Sequence, residues 1–334
     1  MVGLFAASCT ADQGDATEAD ESFRAPVPPD VDLDIHSVPL SEIVFDTFDG
    51  GSVALPESTP ELRVELLDAI PPIDQPVYGG VEDGDWLDGD DLVLGYVAGG
   101  EAYAYPVKIL NFHEIVSDEI DGVPVLVSYC PLCRSAIVYD RRVDEDTLTF
   151  SNTSALHESD MVMVDRQTGS YWWQVRGTAI VGPLTDTELR TLPSEMATWQ
   201  DWTDRYPDSQ VLTRDTGFDR NYERDSFATY SEFLDSGEFA FPVGDEARND
   251  DRLLPSELVV TVQLDGGVVA YPVERLDGPV DDVIGDITIR VVPHDGGANV
   301  VEVEPDGSAG PALPARTSFW FAAVAAFPDV ILGP

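Results

Sequence analysis

A stretch at residues 92–110, LVLGYVAGGEAYAYPVKIL, recurs at 258–276 as LVVTVQLDGGVVAYPVERL. Each copy is an alternating apolar run, a Gly-Gly turn, then Ala-Tyr-Pro-Val and a Leu three residues later. Period-two alternation about such a turn is the pattern of a β-hairpin. A second pair of matches follows in the same order. Trp199, Tyr206-Pro207-Asp208 and Val211-Leu212 correspond to Trp320, Phe327-Pro328-Asp329 and Ile331-Leu332, with seven residues from Trp to the matched Tyr or Phe in both. Two elements repeated in order point to an internal duplication, with copies at about 92–212 and 258–332. The second copy is shorter and has no Cys pair. The fold class expected is therefore α+β and β-rich, with two related, duplicated β-rich modules packed together. Residues 63–67 read as strand-like, and Val123 to Tyr129 as a buried strand running into Cys130. Helices are expected from Ser194, as cap, to about Tyr206, and from Phe319 to Phe327.

The domain boundaries expected are 1–35, a leader remnant with a lipobox-like Cys9 and a flexible tether; 36–215, the N-terminal module; and 216–334, a linker plus the degenerate second module. Small residues precede Cys9, as in exported lipoproteins, but the apolar stretch is short and lacks a basic start. The expectation is a start codon placed too late, with part of the leader lost. Lipidation of Cys9 would then be the only membrane tether of an extracytoplasmic body. Eighteen Lys and Arg against 63 Asp and Glu give a formal net charge of −45. Such a field repels nucleic acids and anionic membrane surfaces. Carboxylates dispersed along the whole chain suit a salt-adapted prokaryote, because molar salt shortens the Debye length to roughly 3 Å.

Chemistry concentrates at Cys130-Pro131-Leu132-Cys133-Arg134. The spacing allows both sulfurs to join in a small-ring disulfide or to clasp one metal ion. The main expectation is an extracytoplasmic thiol redox protein with no cofactor, acting on a small-molecule or protein thiol, with Arg134 lowering a thiol pKa. The alternative is a copper or zinc site built from Cys130, Cys133 and His113. A second alternative is a non-catalytic structural or partner-binding surface lipoprotein with inert thiols. The oligomeric state is left open.

His113-Glu114 resembles the start of a zinc-protease motif, but Ser117 stands where its second His belongs, which excludes that reading. His113 remains a candidate general base or ligand. Lys108, the single Lys of the chain, is a candidate functional cation. Candidate pocket residues are His157 and Ser154, in a hydroxyl-rich stretch, and Asp165, Arg166 and Trp173. No nucleophile elbow, phosphate-binding loop or dinucleotide fingerprint is present.

Several of these segments together resemble the bacterial and archaeal family known as domain of unknown function 3179. They are Ala104-Tyr105-Pro106, His113-Glu114-Ile115-Val116, Asp118, Gly122-Val123-Pro124-Val125 and Tyr129-Cys130-Pro131-Leu132-Cys133. Asp160, Asp165-Arg166-Gln167-Thr168, Trp173-Gln174, Trp199, Trp202, Tyr206-Pro207-Asp208, Val211-Leu212, Thr216-Gly217 and Tyr222 continue the match. The resemblance implies no reaction. Some relatives look like selenoproteins, with selenocysteine mapped to Cys133, which favours redox chemistry. This chain departs from the pattern at Arg134-Ser135, where many relatives carry Gly-Thr, and at Pro255-Ser256-Glu257, where relatives show a Pro-Lys pair.

Overall fold

The computed structural model describes residues 27–334, so Cys9 and most of the tether lie outside the described residues. The chain is β-rich with short helices, as the α+β expectation has it. One sheet has the order Thr178–Val181, Tyr171–Trp173, Asp160–Asp165, Phe150–His157, Ile43–Asp46, Ser52–Ala54. A second, eight-stranded sheet runs Ile331–Leu332, Gly267–Pro272, Leu258–Leu264, Arg316–Phe319, Ser135–Asp140, Val123–Cys130, Ile115–Ile120, with Arg190–Leu192 paired to Ser135–Asp140. This sheet crosses the boundary expected at residue 216. The main core lies between the two sheets, and Phe45, Phe150, Val162, Trp172, Ile137, Phe319 and Trp320 fill it. Both thiols sit in that core.

The two matched stretches fold alike. Leu92–Ala98 and Glu101–Pro106 form one hairpin, and Leu258–Leu264 and Gly267–Pro272 the other. Ser194–Thr198 lies antiparallel beside the first, Trp199–Arg205 is a helix, and Gln210–Leu212 pairs parallel with Glu101–Pro106. In the other half Arg316–Phe319, the helix Trp320–Ala326 and Ile331–Leu332 take the same places. Even the register agrees: Thr198 faces Leu92 and Phe319 faces Leu258, and each is the residue before its helix.

Three local expectations are corrected. Residues 63–67 do not form a strand. Pro60–Leu66 is a helix, with Pro60 in its first turn and the Thr59 hydroxyl accepting from Leu62 N. The helix expected from Ser194 begins at Trp199 instead, and Thr198 caps it through Asp201 N. The ladder to Leu92–Ala98 holds Ser194–Thr198 extended, and that pairing outweighs local helix signals. The segment 216–257 is more than a linker. It carries the short helices Tyr230–Asp235 and Asp245–Arg248 and packs Tyr230, Leu234, Val243, Ala247 and Leu253 into the main core.

Candidate metal centre

Cys130 ends the strand Val123–Cys130 and pairs with Ser135 across a tight turn. Cys133 N donates to Cys130 O at 3.3 Å, and Arg134 closes the turn with φ +48°. A second hairpin reaches the same place. Its strands Phe150–His157 and Asp160–Asp165 are joined by Glu158 and Ser159 alone, with φ +53° and +59°. Two successive positive φ angles make the turn that Asn-Gly normally supplies. Non-glycine residues there cost roughly 1–2 kcal/mol each. Such strain concentrates where a site must be held in one geometry. Here the turn delivers two groups to the thiols. The Ser159 carbonyl accepts from Cys133 Sγ at 3.2 Å, and an Asp160 carboxylate oxygen lies with both sulfurs in a set whose members are within 4.8 Å of one another.

Asp160 is held by Val175 N, which donates at 2.8 Å, and lies 3.3 Å from Ser135 Oγ. Ser135 Oγ also lies 2.5 Å from Gln174 Oε1, and Gln174 Nε2 donates to Ser128 Oγ at 2.9 Å. This network fixes the carboxylate against the strand that carries Cys130. Burial raises its pKa to about 6. Burial also raises the Cys130 thiol, and pushes Cys133 well above the ordinary thiol range.

These findings overturn the redox reading. Both sulfurs are free, and Cys130 and Cys133 are 2% and 0% exposed. A thiol–disulfide enzyme needs an accessible, low-pKa thiolate. Arg134 does not supply one. Its guanidinium stands 5.8 Å from the centre of the Phe319 ring, and desolvation dominates both thiols. Two sulfurs and a carboxylate facing one another form a donor set for a metal ion.

Glu114 and Asn152 stand beside this set. Glu114 follows the helix Val107–His113 in the left-handed region, φ +57°, and its carboxylate accepts from Asn152 Nδ2 at 2.7 Å. Burial raises the Glu114 pKa to about 8. Asn152 Oδ1 accepts from Ser154 N at 2.7 Å across a β-bulge, which turns the Asn152 side chain towards Glu114. Glu114, Asn152 and Cys130 line a cavity of about 460 Å³, walled by Leu132, Leu156, Met161 and by rings from the segment Phe227 to Phe241. Gly244 N donates to Glu158 Oε2 at 2.6 Å and ties that wall to the hairpin tip.

The other expected site residues are dispersed. His113 is not a ligand of this set. Its Nδ1 donates to Pro71 O and its Nε2 accepts from the Tyr222 hydroxyl, each at 2.7 Å, and burial lowers its pKa to about 4. Lys108 pairs with Asp91 at 2.6 Å on the helix behind the first hairpin. Of the five candidate pocket residues only Ser154 lines the cavity. His157 and Trp173 pack edge to face at 4.7 Å. Asp165 accepts from Trp172 Nε1 at 2.9 Å and from Thr168 N at 2.6 Å. Arg166 pairs with Asp74 at 2.7 Å. The residues that sequence reasoning missed as site groups are Asp160, Glu114, Asn152 and the aromatic wall. Asp160 and Glu114 stood in segments already singled out, but nothing local marked them as facing the thiols.

A family model described as a protein of unknown function, DUF3179, matches residues 67–309. That span contains the two thiols, Asp160, Glu114 and Asn152. No curated protein and no solved structure matches the chain. Because the match covers well over half of its length, the chain belongs to the DUF3179 family.

Proposed function

We propose that the protein binds a thiophilic divalent ion, zinc, through Cys130, Cys133 and Asp160. The observation that carries this reading is the meeting of three buried donors within 4.8 Å. Two thiolates with one carboxylate suit zinc, which accepts sulfur and oxygen together, better than copper(I), which favours soft ligands alone. Three protein ligands would leave a fourth position, and Cys130 borders the cavity. A zinc ion held in this way supplies Lewis acidity and an acidified water. Glu114, steadied by Asn152, faces the same cavity and is placed to hold or release a proton there.

Elemental analysis of untagged protein tests the reading. One zinc per chain is expected, lost in Cys133→Ser and Asp160→Asn and kept in His113→Gln. Metal-free protein after purification with zinc present, or metal retained in Asp160→Asn, removes it.

Two coarser features accompany this reading. The repeated order of hairpin, antiparallel strand, helix and parallel strand supports descent of the two halves from one duplicated unit. Superposition of the halves in an experimental structure, with these elements out of register, would refute it. The lipobox-like Cys9 supports an extracytoplasmic, lipid-anchored location for the salt-adapted chain. Mass spectrometry of Cys9 from native membranes tests this, and an unmodified thiol removes it.

A further inference from the structure

We infer that the cavity beside Cys130 binds an apolar organic cation, an amine or quaternary ammonium compound, with its charge directed at Glu114. The inference rests on the proposed zinc site only in naming the cavity floor.

Size comes first. About 460 Å³ falls within the range of roughly 300–1,000 Å³ of sites that enclose small organic molecules. Phe48, Phe227, Tyr230, Phe233, Phe239 and Phe241 bring six aromatic rings to the lining. Ring faces carry negative potential and attract cations, most strongly where water is excluded.

Charge then separates the ligand classes. Asp46, Glu114 and Glu238 line the cavity, and no Lys or Arg does. A carboxylate, phosphate or sulfonate ligand would find no counter-charge and three acidic groups. Glu114 is 8% exposed, and Asn152, a neutral amide, is its side-chain hydrogen-bond partner. Among the described residues it has no ion pair. Burial favours the protonated carboxyl, and a cation seated beside it offsets this by favouring the carboxylate in a site with little water. Zinc loading does not reverse the sign, because two thiolates and a carboxylate outweigh one divalent ion.

Three probes of similar size test the inference: benzyltrimethylammonium, its uncharged carbon isostere neopentylbenzene, and benzenesulfonate. Binding is measured calorimetrically or by ligand-observed NMR on the full chain, metal-free and zinc-loaded. About 2 M NaCl screens the general acidic field. The cation is expected to bind at least about tenfold more tightly than the isostere, a difference of about 1.4 kcal/mol. Benzenesulfonate is expected not to bind. Glu114→Gln should bring the cation to the affinity of the isostere. Phe239→Ala, on the cavity wall, should weaken both by about tenfold and covers the case in which Glu114→Gln does not fold. Equal affinities for cation and isostere overturn the inference. So does a cation preference that survives Glu114→Gln, which would mark a diffuse surface effect. A cation preference in protein that takes up no zinc sinks the metal reading alone. Stoichiometric zinc without the preference sinks this one alone.

Discussion

The Cys133 thiol donates to the Ser159 carbonyl oxygen at 3.2 Å, across two hairpins that are distant in sequence. The Ser159 backbone that carries this carbonyl is left-handed, φ +59°. The next residue is Asp160, so one two-residue turn sets both the second-hairpin donor and the backbone oxygen beside the sulfurs.

Ser159→Val places a β-branched residue in a conformation that such residues almost never adopt. A loss of about 2 kcal/mol or more is expected in urea unfolding, together with weaker zinc uptake. Unchanged stability would show that the turn does not need this backbone.

Four buried groups contribute to the pH dependence of metal-free protein. Glu114 and Asp160 have folded pKa values raised to about 8 and about 6. Their contribution is present below the unfolded values, and it is lost as pH rises through the folded ones. His113 and His157 are lowered to about 4, so their contribution is present above about 6.5 and is lost as pH falls towards 4. Stability should therefore decline from pH 6.5 to pH 8, by no more than about 1.4 kcal/mol per pH unit for the Glu114 proton. Thermal melts should show this decline, and Glu114→Gln should flatten it.

Asn152→Ala removes the donor to Glu114 and the acceptor for Ser154 N together. Two buried groups left without partners cost about 3 kcal/mol in sum. Chemical unfolding of the variant measures this. A loss below about 1 kcal/mol would mean that water replaces the side chain.

Gly95→Ala tests the packing of the first hairpin. A Cβ there would lie 2.1 Å from the Trp202 ring, which is fully buried. Overpacking of this kind costs about 1–3 kcal/mol, read as a lowered melting temperature.

The charge balance of 18 cationic against 63 acidic residues predicts a salt-dependent fold. At roughly 0.01 M salt, charges couple over about 30 Å, and at 1 M over about 3 Å. The unfolding midpoint should rise steadily from 0.1 M to 3 M NaCl. A midpoint that does not move would assign the acidity to another cause, such as a cationic partner.

Local patterning made the two hairpins and their closing strands legible, because alternation and Gly-Gly turns act between neighbours in the chain. The strand into Cys130 and the helix beginning at Trp320 were legible for the same reason. The acidity was written plainly in the composition, and the Cys pair stood out as a candidate donor set. The third donor was not legible. His113 looked suitable as a residue type, yet the fold turns it to Pro71 and Tyr222. Asp160 reaches the sulfurs through a Glu-Ser turn whose positive φ angles no propensity suggests, and the register between two sheets decides that meeting. The protonation of the site was equally hidden. Arg134 beside the thiols suggested thiolates, but burial between the sheets raises both sulfurs, and only tertiary packing sets how much water remains. Which residues can carry chemistry is thus a property of the chain, and which of them share a site follows from long-range register and desolvation.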